Sequence, residues 1–214
     1  MRILSVHHKG GVGKTTTAVH VTGILLEGGA RVLLIDGDTQ ADSYTFFSKG
    51  TPPKKPGDAF DAADGRLRVV SLRPGEALDS IVRAASGDQH VVIDIATDMA
   101  QISKMLVEVE PDLVLVGVRK YDRGSYVHLD DVLAQVESAR ALGVAPRVTV
   151  VPIGVGPEDF MRDVVAEPES FRVADTVEWS PDVAGEALFA EHRYIWEYPE
   201  HAHLRAAYAA LLTP

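Results

Sequence analysis

Residues 2–27 read RILSVHHKGGVGKTTTAVHVTGILLE, and this stretch decides the fold. It opens with a short apolar segment, Arg2–His7, which predicts a buried strand. After a glycine-rich turn, Lys14–Glu27 has apolar residues at helical spacing until Gly28 and Gly29 end the pattern. A glycine-rich turn between a strand and a helix points backbone N–H groups and the positive end of the helix dipole at one place, which favours a phosphate group.

The residue types in this turn fit a nucleotide site. The Lys14 ammonium is expected to reach the β- and γ-phosphates, and the Thr15 hydroxyl is expected to bind Mg²⁺. Thr16 is one step further along the helix and is expected to reach the α-phosphate. The general phosphate-loop pattern has glycine where this chain has His8, so a strict search would miss it. We predict that ATP is held by seven residues of this turn: Gly10, Gly11, Val12, Gly13, Lys14, Thr15 and Thr16.

Strand and helix patterns alternate along the following chain. Continuous apolar segments predict strands at Arg31–Ile35, Leu67–Leu72, His90–Ile93, Leu113–Val118 and Arg147–Val151. Helical patterns follow at Gly75–Ala85, Met99–Val109 and His128–Leu142, and Gly50–Pro56 reads as a loop. Strands that are apolar from end to end are typical of a parallel sheet covered by helices. The sequence therefore predicts a doubly wound, mostly parallel α/β sheet with helices on both faces, of the P-loop NTPase type.

The last third of the chain has weaker patterns. Helices are expected at Glu158–Val165 and Pro199–Leu212, with a short edge strand at Phe171–Ala174. The length of 214 residues suits one globular domain over 1–214. The chain has no cysteine, which excludes disulfides and thiolate metal sites. No apolar run of about 18 residues and no signal-peptide pattern is present, so we expect a cytoplasmic location.

The segment Lys9–Thr16, KGGVGKTT, resembles the deviant Walker A motif of the ParA/MinD family of ATPases. The resemblance covers residues 1–152 in motif order and strand spacing, is closest to the short ParA type, and leaves 153–214 as a variable part. In that family the residue before the signature lysine varies, which accommodates His8. The resemblance implies that Lys9 crosses a homodimer interface to the phosphates of the other subunit, where its charge acts much as an arginine finger does.

Two groups of carboxylates extend the resemblance. Residues 36–40, DGDTQ, resemble the switch I segment, although Thr39 replaces the usual proline. The match implies that Asp36 lies near Mg²⁺ and that Asp38 orients the attacking water; an Asp at a strand end is otherwise often a cap or turn residue. His90–Asp94 resembles Walker B, which implies that Asp94 binds a Mg²⁺ water. The following residues, 95–98, depart from the family's proline- or glycine-rich turn.

Several other residues are weighed with less support. Asp122 is a weak site candidate after an apolar strand, and Arg119 reads as a surface charge. The histidines His7, His8, His201 and His203 do not form a set with the geometry of a zinc site, so we interpret them as structural or surface residues. Core packing is the preferred interpretation of five C-terminal aromatics: Trp179, Phe189, Tyr194, Trp196 and Tyr198.

The resemblance implies a slow Mg²⁺-dependent ATPase that dimerises with ATP and is stimulated by a partner protein. DNA partition is the leading interpretation, with nonspecific DNA as the matrix. Residues 151–214 contain 4 basic and 12 acidic residues, which argues against an obvious DNA-binding tail. Basic residues elsewhere remain available to cluster: Lys49, Lys54, Lys55, Arg119, Lys120, Arg123, Arg140 and Arg147.

Three alternatives stay open. The first is a positioning ATPase for a protein or membrane-associated cargo, although the C-terminal segment 202–212 has only Arg205 as a cation and so disfavours membrane binding. The second is a small metabolic P-loop enzyme, for which the length leaves little space for a substrate domain. The third is a nucleotide-dependent scaffold, which would not need the water-positioning Asp38.

Overall fold

The computed structural model describes residues 1–7, 9–72, 78–85, 89–95, 99–119, 122–156, 171–178 and 185–213. Eight strands form one sheet: β1 (Arg2–Ser5), β2 (Arg31–Asp36), β3 (Ala59–Ala62), β4 (Leu67–Ser71), β5 (Gln89–Asp94), β6 (Leu113–Arg119), β7 (Arg147–Ile153) and β8 (Arg172–Val173). The α-helices are α1 (Lys14–Glu27), α2 (Asp42–Phe47), α3 (Leu78–Ala84), α4 (Met99–Val109), α5 (Arg123–Ala141) and α6 (Leu204–Ala210).

The strand order is β3-β4-β2-β5-β1-β6-β7-β8. All neighbouring strands are parallel except β3 and β4, which form an antiparallel pair at one edge. In the register, Ser5 of β1 is opposite Asp94 of β5, and Asp36 of β2 is opposite that same Asp94. The predicted doubly wound α/β fold is confirmed, and its central strands bring the glycine-rich turn and both predicted carboxylate segments to the carboxyl edge of the sheet.

Helices cover both faces of the sheet because the strands are apolar on both sides. One core packs α3, α4 and α5 against residues such as Leu4, Ile93 and Val116. The other packs α1, α2 and α6 against residues such as Ile3 and Leu34. Burial on both faces explains why the central strands read as continuous apolar segments.

Helix α1 and the C-terminal segment are joined through a buried histidine. His20 is fully buried, its Nδ1 lies 2.6 Å from the Thr16 carbonyl, and its Nε2 accepts a hydrogen bond of 2.9 Å from the Ile195 N–H. Its ring stacks on Tyr208 of α6 with 4.4 Å between the centroids. The chain after the sheet is therefore anchored to the helix that follows the glycine-rich turn.

Several predicted boundaries were wrong. Helix α5 begins five residues before the predicted His128, because the Asp122 side chain accepts a hydrogen bond from the Ser125 N–H and caps the helix. The predicted helix at Pro199–Leu212 is divided into a 3₁₀ turn at Pro199–His201 and α6. Helix α2, strand β3, a π-helix at Glu186–Glu191 and a 3₁₀ turn at Ile195–Glu197 were not predicted.

The other predicted elements agree with the structure where it can be compared. Helices α1 and α4 have the predicted limits, the segment Gly50–Pro56 contains no helix or strand, and β8 lies within the predicted edge strand. The predicted helix Glu158–Val165 lies outside the described residues, as do His8, Lys120 and Trp179. Among the helices of the described ranges, none combines the length and the apolar character that crossing a membrane requires.

Candidate functional site

The glycine-rich turn joins the end of β1 to the start of α1. Gly11 and Gly13 have φ angles of 73° and 81°, in the left-handed region that favours glycine. A Cβ on Gly13 would overlap Ile153 of β7, and a Cβ on Gly117 of β6 would overlap the Val12 carbonyl oxygen. The turn is therefore pressed against two neighbouring strands, which fixes its backbone before any ligand binds.

Lys14 lies inside this turn. Its side chain is buried, with 8% of the residue exposed, and its Nζ donates a hydrogen bond of 3.0 Å to the Lys9 carbonyl oxygen. Burial lowers the pKa of Lys14, and the charges of Asp94 and Asp38 act in the opposite direction. The ammonium thus occupies the concave side of the turn, where it is available to phosphate oxygens.

Asp94 ends β5 directly behind the first turn of α1. It is 1% exposed, and burial together with the neighbouring charge of Asp36 raises its pKa to about 7. The side chains of Thr15, Ser43 and Lys14 are close enough to the carboxylate to oppose this rise in its pKa. Its Oδ2 is buried and has no hydrogen-bond partner among the described residues. A buried carboxylate oxygen without a partner is costly unless a ligand completes the site.

Asp36 ends β2 and is bound by the chain itself. Its Oδ2 accepts hydrogen bonds of 2.7 Å from the Ser43 hydroxyl and from the Tyr44 N–H at the start of α2. Its Oδ1 accepts one of 3.0 Å from the Asp38 N–H. Burial raises the pKa of Asp36, while these donors lower it. In this conformation the carboxylate holds the loop before α2 in place.

Asp38 lies in that loop, and its carboxylate is partly exposed. Its Oδ1 accepts a hydrogen bond of 3.0 Å from the Gln40 N–H, and its charge reaches Lys14. The structure therefore brings Lys14, Thr15, Asp36, Asp38 and Asp94 to one end of the sheet. Such a set suits a phosphate ester with a hard cation and a water molecule.

Lys9 is oriented away from this group. Its ammonium forms an ion pair with Asp122, the residue that caps α5. Gly124 leaves space for the pair, because a Cβ there would lie 2.8 Å from the Lys9 Nζ. Hydrogen bonding to Lys9 lowers the pKa of Asp122 against the effect of burial. Asp122, a weak candidate in the sequence, is thus the partner of Lys9 within its own chain.

The positions of Thr16, Gly10 and Arg119 say less about a role in phosphate binding. Thr16 is in the first turn of α1, and a Cβ on Gly10 would have nothing within 4 Å. Arg119 is half-buried, and its guanidinium lies 4.0 Å from a Cβ built on Gly11, so it is not the purely surface charge that was expected.

Three residues that contribute to the candidate site were not predicted as site residues. Ser43 lies between Asp36 and Asp94, and its position two residues into a six-residue helix gave little signal. Gly117 was detectable, since a glycine inside an apolar strand often marks a close backbone approach. His7, interpreted from the sequence as a structural or surface residue, is fully buried at the entry to the turn and contacts both Lys9 and α5.

The residues present fit a nucleotide with Mg²⁺. Among the described residues, no group of three or more His, Asp and Glu side chains forms a metal site by itself. A cation at Asp94 would therefore be completed by the Thr15 hydroxyl, by water and by phosphate oxygens, as is usual for Mg²⁺. The buried, unpartnered Oδ2 of Asp94 is the feature that agrees with such a ligand.

Comparison with known proteins gives one family. Residues 3–184 match the model described as the CobQ/CobB/MinD/ParA nucleotide binding domain. The chromosome partitioning protein ParA of Caulobacter vibrioides is 39% identical over 71 residues, which are 33% of this chain and 26% of that relative. The matched stretch thus spans about a quarter of the relative's length.

Solved structures share the fold over nearly the whole chain. An McdA variant from Cyanothece in complex with ATP has a TM-score of 0.73 at 19% identity, covering 98% of this chain and 94% of that one. The cell division ATPase MinD of Pyrococcus furiosus has a TM-score of 0.71 at 16% identity, covering 98% and 95%. At these identities the likeness establishes the fold.

Proposed function

The chain belongs to the CobQ/CobB/MinD/ParA nucleotide-binding family, and on that premise we propose that it is an ATP-dependent switch that dimerises with ATP, hydrolyses it with Mg²⁺ and thereby positions a cargo. The observation that carries the proposal is the buried, unpartnered Oδ2 of Asp94 close to Thr15 behind the glycine-rich turn. ATP binding is supported by the burial of Lys14 inside a turn whose backbone is already fixed.

Each charged residue has one role in the proposed reaction. Backbone N–H groups of residues 10–16 and the Lys14 ammonium bind the phosphates. Thr15 and Asp94 hold Mg²⁺, directly or through water, and bound Mg²⁺ offsets negative charge on the phosphate oxygens. Asp36 lies at the edge of that site and fixes the loop that contains Asp38. Asp38 orients the attacking water, for which its partly exposed carboxylate is accessible.

Lys9 is the residue that links dimerisation to hydrolysis in this proposal. In the single chain its ammonium is paired with Asp122, and its side chain is 38% exposed. A lysine at this position cannot assist the phosphates of its own chain while that pair holds. We propose that the pair is exchanged in the dimer, where Lys9 serves the nucleotide of the second copy. A partner protein that favours this exchange would stimulate hydrolysis.

The cargo that we propose is plasmid or chromosome DNA. Support comes from the identity to a chromosome partitioning ParA over 71 residues. The net charge of −10 weakens a purely electrostatic attachment. The expected basic cluster is also divided, since Arg119 ends β6 whereas Arg147 begins the parallel neighbour β7, at the opposite edge of the sheet. A local DNA contact is therefore expected rather than a broad basic face.

The decisive experiment compares the wild type with Asp38→Ala. Size-exclusion chromatography with Mg²⁺ should show a dimer with ATP and a monomer without nucleotide for both proteins. Because Asp38→Ala removes the carboxylate that orients the attacking water in this proposal, ATP turnover should fall by about 100-fold or more while the dimer persists longer. Asp61→Ala, a change at an exposed carboxylate that pairs with Arg68, is the matched control and should leave turnover unchanged. If neither wild type nor Asp38→Ala dimerises with ATP, the switch is excluded.

The DNA assignment needs a separate measurement. Co-sedimentation with nonspecific double-stranded DNA should require ATP and should weaken at the higher of two salt concentrations, because phosphate contacts release counterions. A shallow dependence of log K on log salt concentration, corresponding to about two to four phosphate contacts, is expected from the net charge of −10 and from the separation of Arg119 and Arg147. If the ATP-dependent dimers do not bind DNA at either salt concentration, the DNA assignment is wrong and the proposed cargo becomes a protein.

A further inference from the structure

His7 joins the end of β1 to the glycine-rich turn and is fully buried, with 0% of the residue exposed. Both of its ring nitrogens have partners. The Lys9 N–H donates a hydrogen bond of 3.0 Å to Nδ1, and Nε2 lies 3.0 Å from the Ser125 carbonyl oxygen in α5. Since a carbonyl oxygen only accepts and the Lys9 N–H only donates, the ring must be neutral with its proton on Nε2.

The contacts of His7 close a ring of residues. Ser125, also fully buried, donates its N–H to Asp122 Oδ1 over 3.3 Å, and its hydroxyl donates to the Asp122 carbonyl over 2.7 Å. Asp122 then pairs with the Lys9 ammonium. His7 therefore acts on Lys9 at two places: on its backbone directly, and on its ammonium through Ser125 and Asp122.

Histidine has the geometry that this ring requires. It presents an acceptor close to its own backbone and a donor about two bonds further out, which no other neutral side chain combines in a rigid plane. An apolar residue would leave the part-buried Lys9 N–H without its acceptor and would remove the second donor to the Ser125 carbonyl, which lies inside α5, and both losses are costly. The charged groups that face the ring are Lys14, Asp122 and the neighbouring His128. None of them replaces the two hydrogen bonds.

We propose that His7 is a positioning residue that sets the direction of Lys9 and so controls its release from Asp122 toward the second copy. This rests on the proposed function in one respect, because it takes the Lys9 ammonium as the group that serves the partner's nucleotide. His7 itself touches neither ATP nor water in this proposal. Its effect should therefore appear in dimerisation and turnover rather than in nucleotide affinity.

Two substitutions separate the two hydrogen bonds. His7→Asn keeps an acceptor near the position of Nδ1 and loses the donor to Ser125. His7→Gln keeps a donor near the position of Nε2 and loses the acceptor for the Lys9 N–H. Both should bind ATP within about threefold of wild type, whereas loss of one buried hydrogen bond should weaken the ATP-dependent dimer about tenfold and lower kcat with little change in KM. His203→Asn, a change at an exposed histidine, should match wild type in every measurement.

A nuclear magnetic resonance measurement on the nucleotide-free protein tests the positioning itself. In wild type the Lys9 amide should be protected from hydrogen exchange and its ammonium should be immobilised. His7→Gln should lose the amide protection, and His7→Asn should keep it while the ammonium becomes mobile. This readout stays informative if wild type does not dimerise with ATP, a result that would defeat the proposed function alone.

Two results would overturn the inference. One is a Lys9 amide and ammonium that are the same in both variants and in wild type. The other is a loss of ATP affinity as large as the loss of dimerisation, which would reduce His7 to a support for the fold of the turn. Thermal unfolding of His7→Asn and of His7→Gln shows whether each variant is folded. If one of them is not, the other variant decides whether the inference stands.

Discussion

At the scale of single residues, the site combines carboxylates whose environments differ. Asp36 is satisfied by donors of its own chain, Asp38 is accessible, and Asp94 is buried with one unpartnered oxygen. These differences agree with the roles that we propose: a structural carboxylate for Asp36, a water-orienting one for Asp38 and a cation ligand for Asp94. They depend on neighbours such as Ser43 that are distant from Asp94 in sequence.

The Asp94→Asn variant should be more stable than wild type but should lose the proposed cation ligand. Burial raises the pKa of Asp94 to about 7, so the folded chain holds this proton more tightly than the unfolded chain, and stability is lost as pH rises from about 4 to 7. The asparagine removes that loss, and the nucleotide-free variant should be more stable than wild type at pH 8, by at most about 4 kcal/mol. Urea unfolding at pH 5 and pH 8 measures the difference in the free energy of unfolding between the variant and wild type.

The same variant should lose its response to Mg²⁺. Wild type should gain thermal stability when Mg²⁺ is added with ATP, because ligands that bind only the folded state stabilise it. Asp94→Asn should gain much less, while Asp61→Asn should behave as wild type. An undiminished Mg²⁺ response in Asp94→Asn would remove Asp94 from the proposed cation site.

At the scale of elements, the turn before α1 is shaped by strands that lie far away in the sequence. Gly13 meets Ile153 of β7, and Val12 meets Gly117 of β6. The turn would be less defined if it were an isolated strand–turn–helix unit. Parallel pairing of β1 with β6, and of β6 with β7, supplies the surface against which it is pressed.

Gly117→Ala tests that support. The added Cβ overlaps the Val12 carbonyl oxygen, so the turn has to move. We expect ATP affinity to fall by about tenfold or more and the free energy of unfolding to fall by about 1–3 kcal/mol. Isothermal titration calorimetry and urea unfolding measure the two effects. Gly185→Ala, where a Cβ would have nothing within 4 Å, is the control, and equal effects of both changes would contradict the argument.

At the scale of the whole molecule, the C-terminal segment completes the core on the α1 side of the sheet. Ile195, Trp196, Leu204 and Tyr208 are buried there, which agrees with the expectation that the C-terminal aromatics pack in the core. Phe189 does not follow the expectation, since 55% of the residue is exposed on the π-helix; Tyr198 is outside the buried core clusters of the described residues, and Trp179 is not among those residues. The acidic composition of this region therefore lies around a packed apolar interior.

His20 should make the free energy of unfolding depend on pH. Burial lowers its pKa to about 4, so the unfolded chain takes up a proton that the folded chain refuses between pH 6.5 and pH 4. The contribution of His20 to the free energy of unfolding should fall by up to about 3 kcal/mol as pH decreases through this window. Burial also lowers the pKa of His7 to about 4, and that residue acts in the same direction.

His20→Gln should be less stable than wild type at pH 7 but should lose less on acidification. Urea unfolding at pH 7, 6, 5 and 4.5 gives the slope, and His203→Gln should keep the slope of wild type. Because Asp94 and Asp36 contribute to the pH dependence in the opposite direction, the test is the difference between the two proteins. A His20→Gln variant with the same slope as wild type would contradict the assigned burial of His20.

The sequence by itself determined the fold class and the location of the site. Continuous apolar strands require burial on both faces, and the glycine-rich turn, Asp36, Asp38 and Asp94 all follow strands of one parallel sheet. Strand ends and glycines are local signals, so they could be read without coordinates. The starting point of α5 was missed because its cap, Asp122, precedes a glycine and polar residues that hide the helical pattern.

Only the tertiary structure decided how the residues of the turn are held. Residues 9–16 read as one phosphate-binding motif, but its two lysines are held differently. The Lys14 side chain lies on the concave side of the turn, whereas the Lys9 ammonium pairs with Asp122 and its backbone N–H is bound by His7. The ion-pair partner of the Lys9 ammonium, Asp122, lies 113 residues away in the chain. Contacts of that separation arise from packing of β1 beside β6 and α5, and no local pattern encodes them.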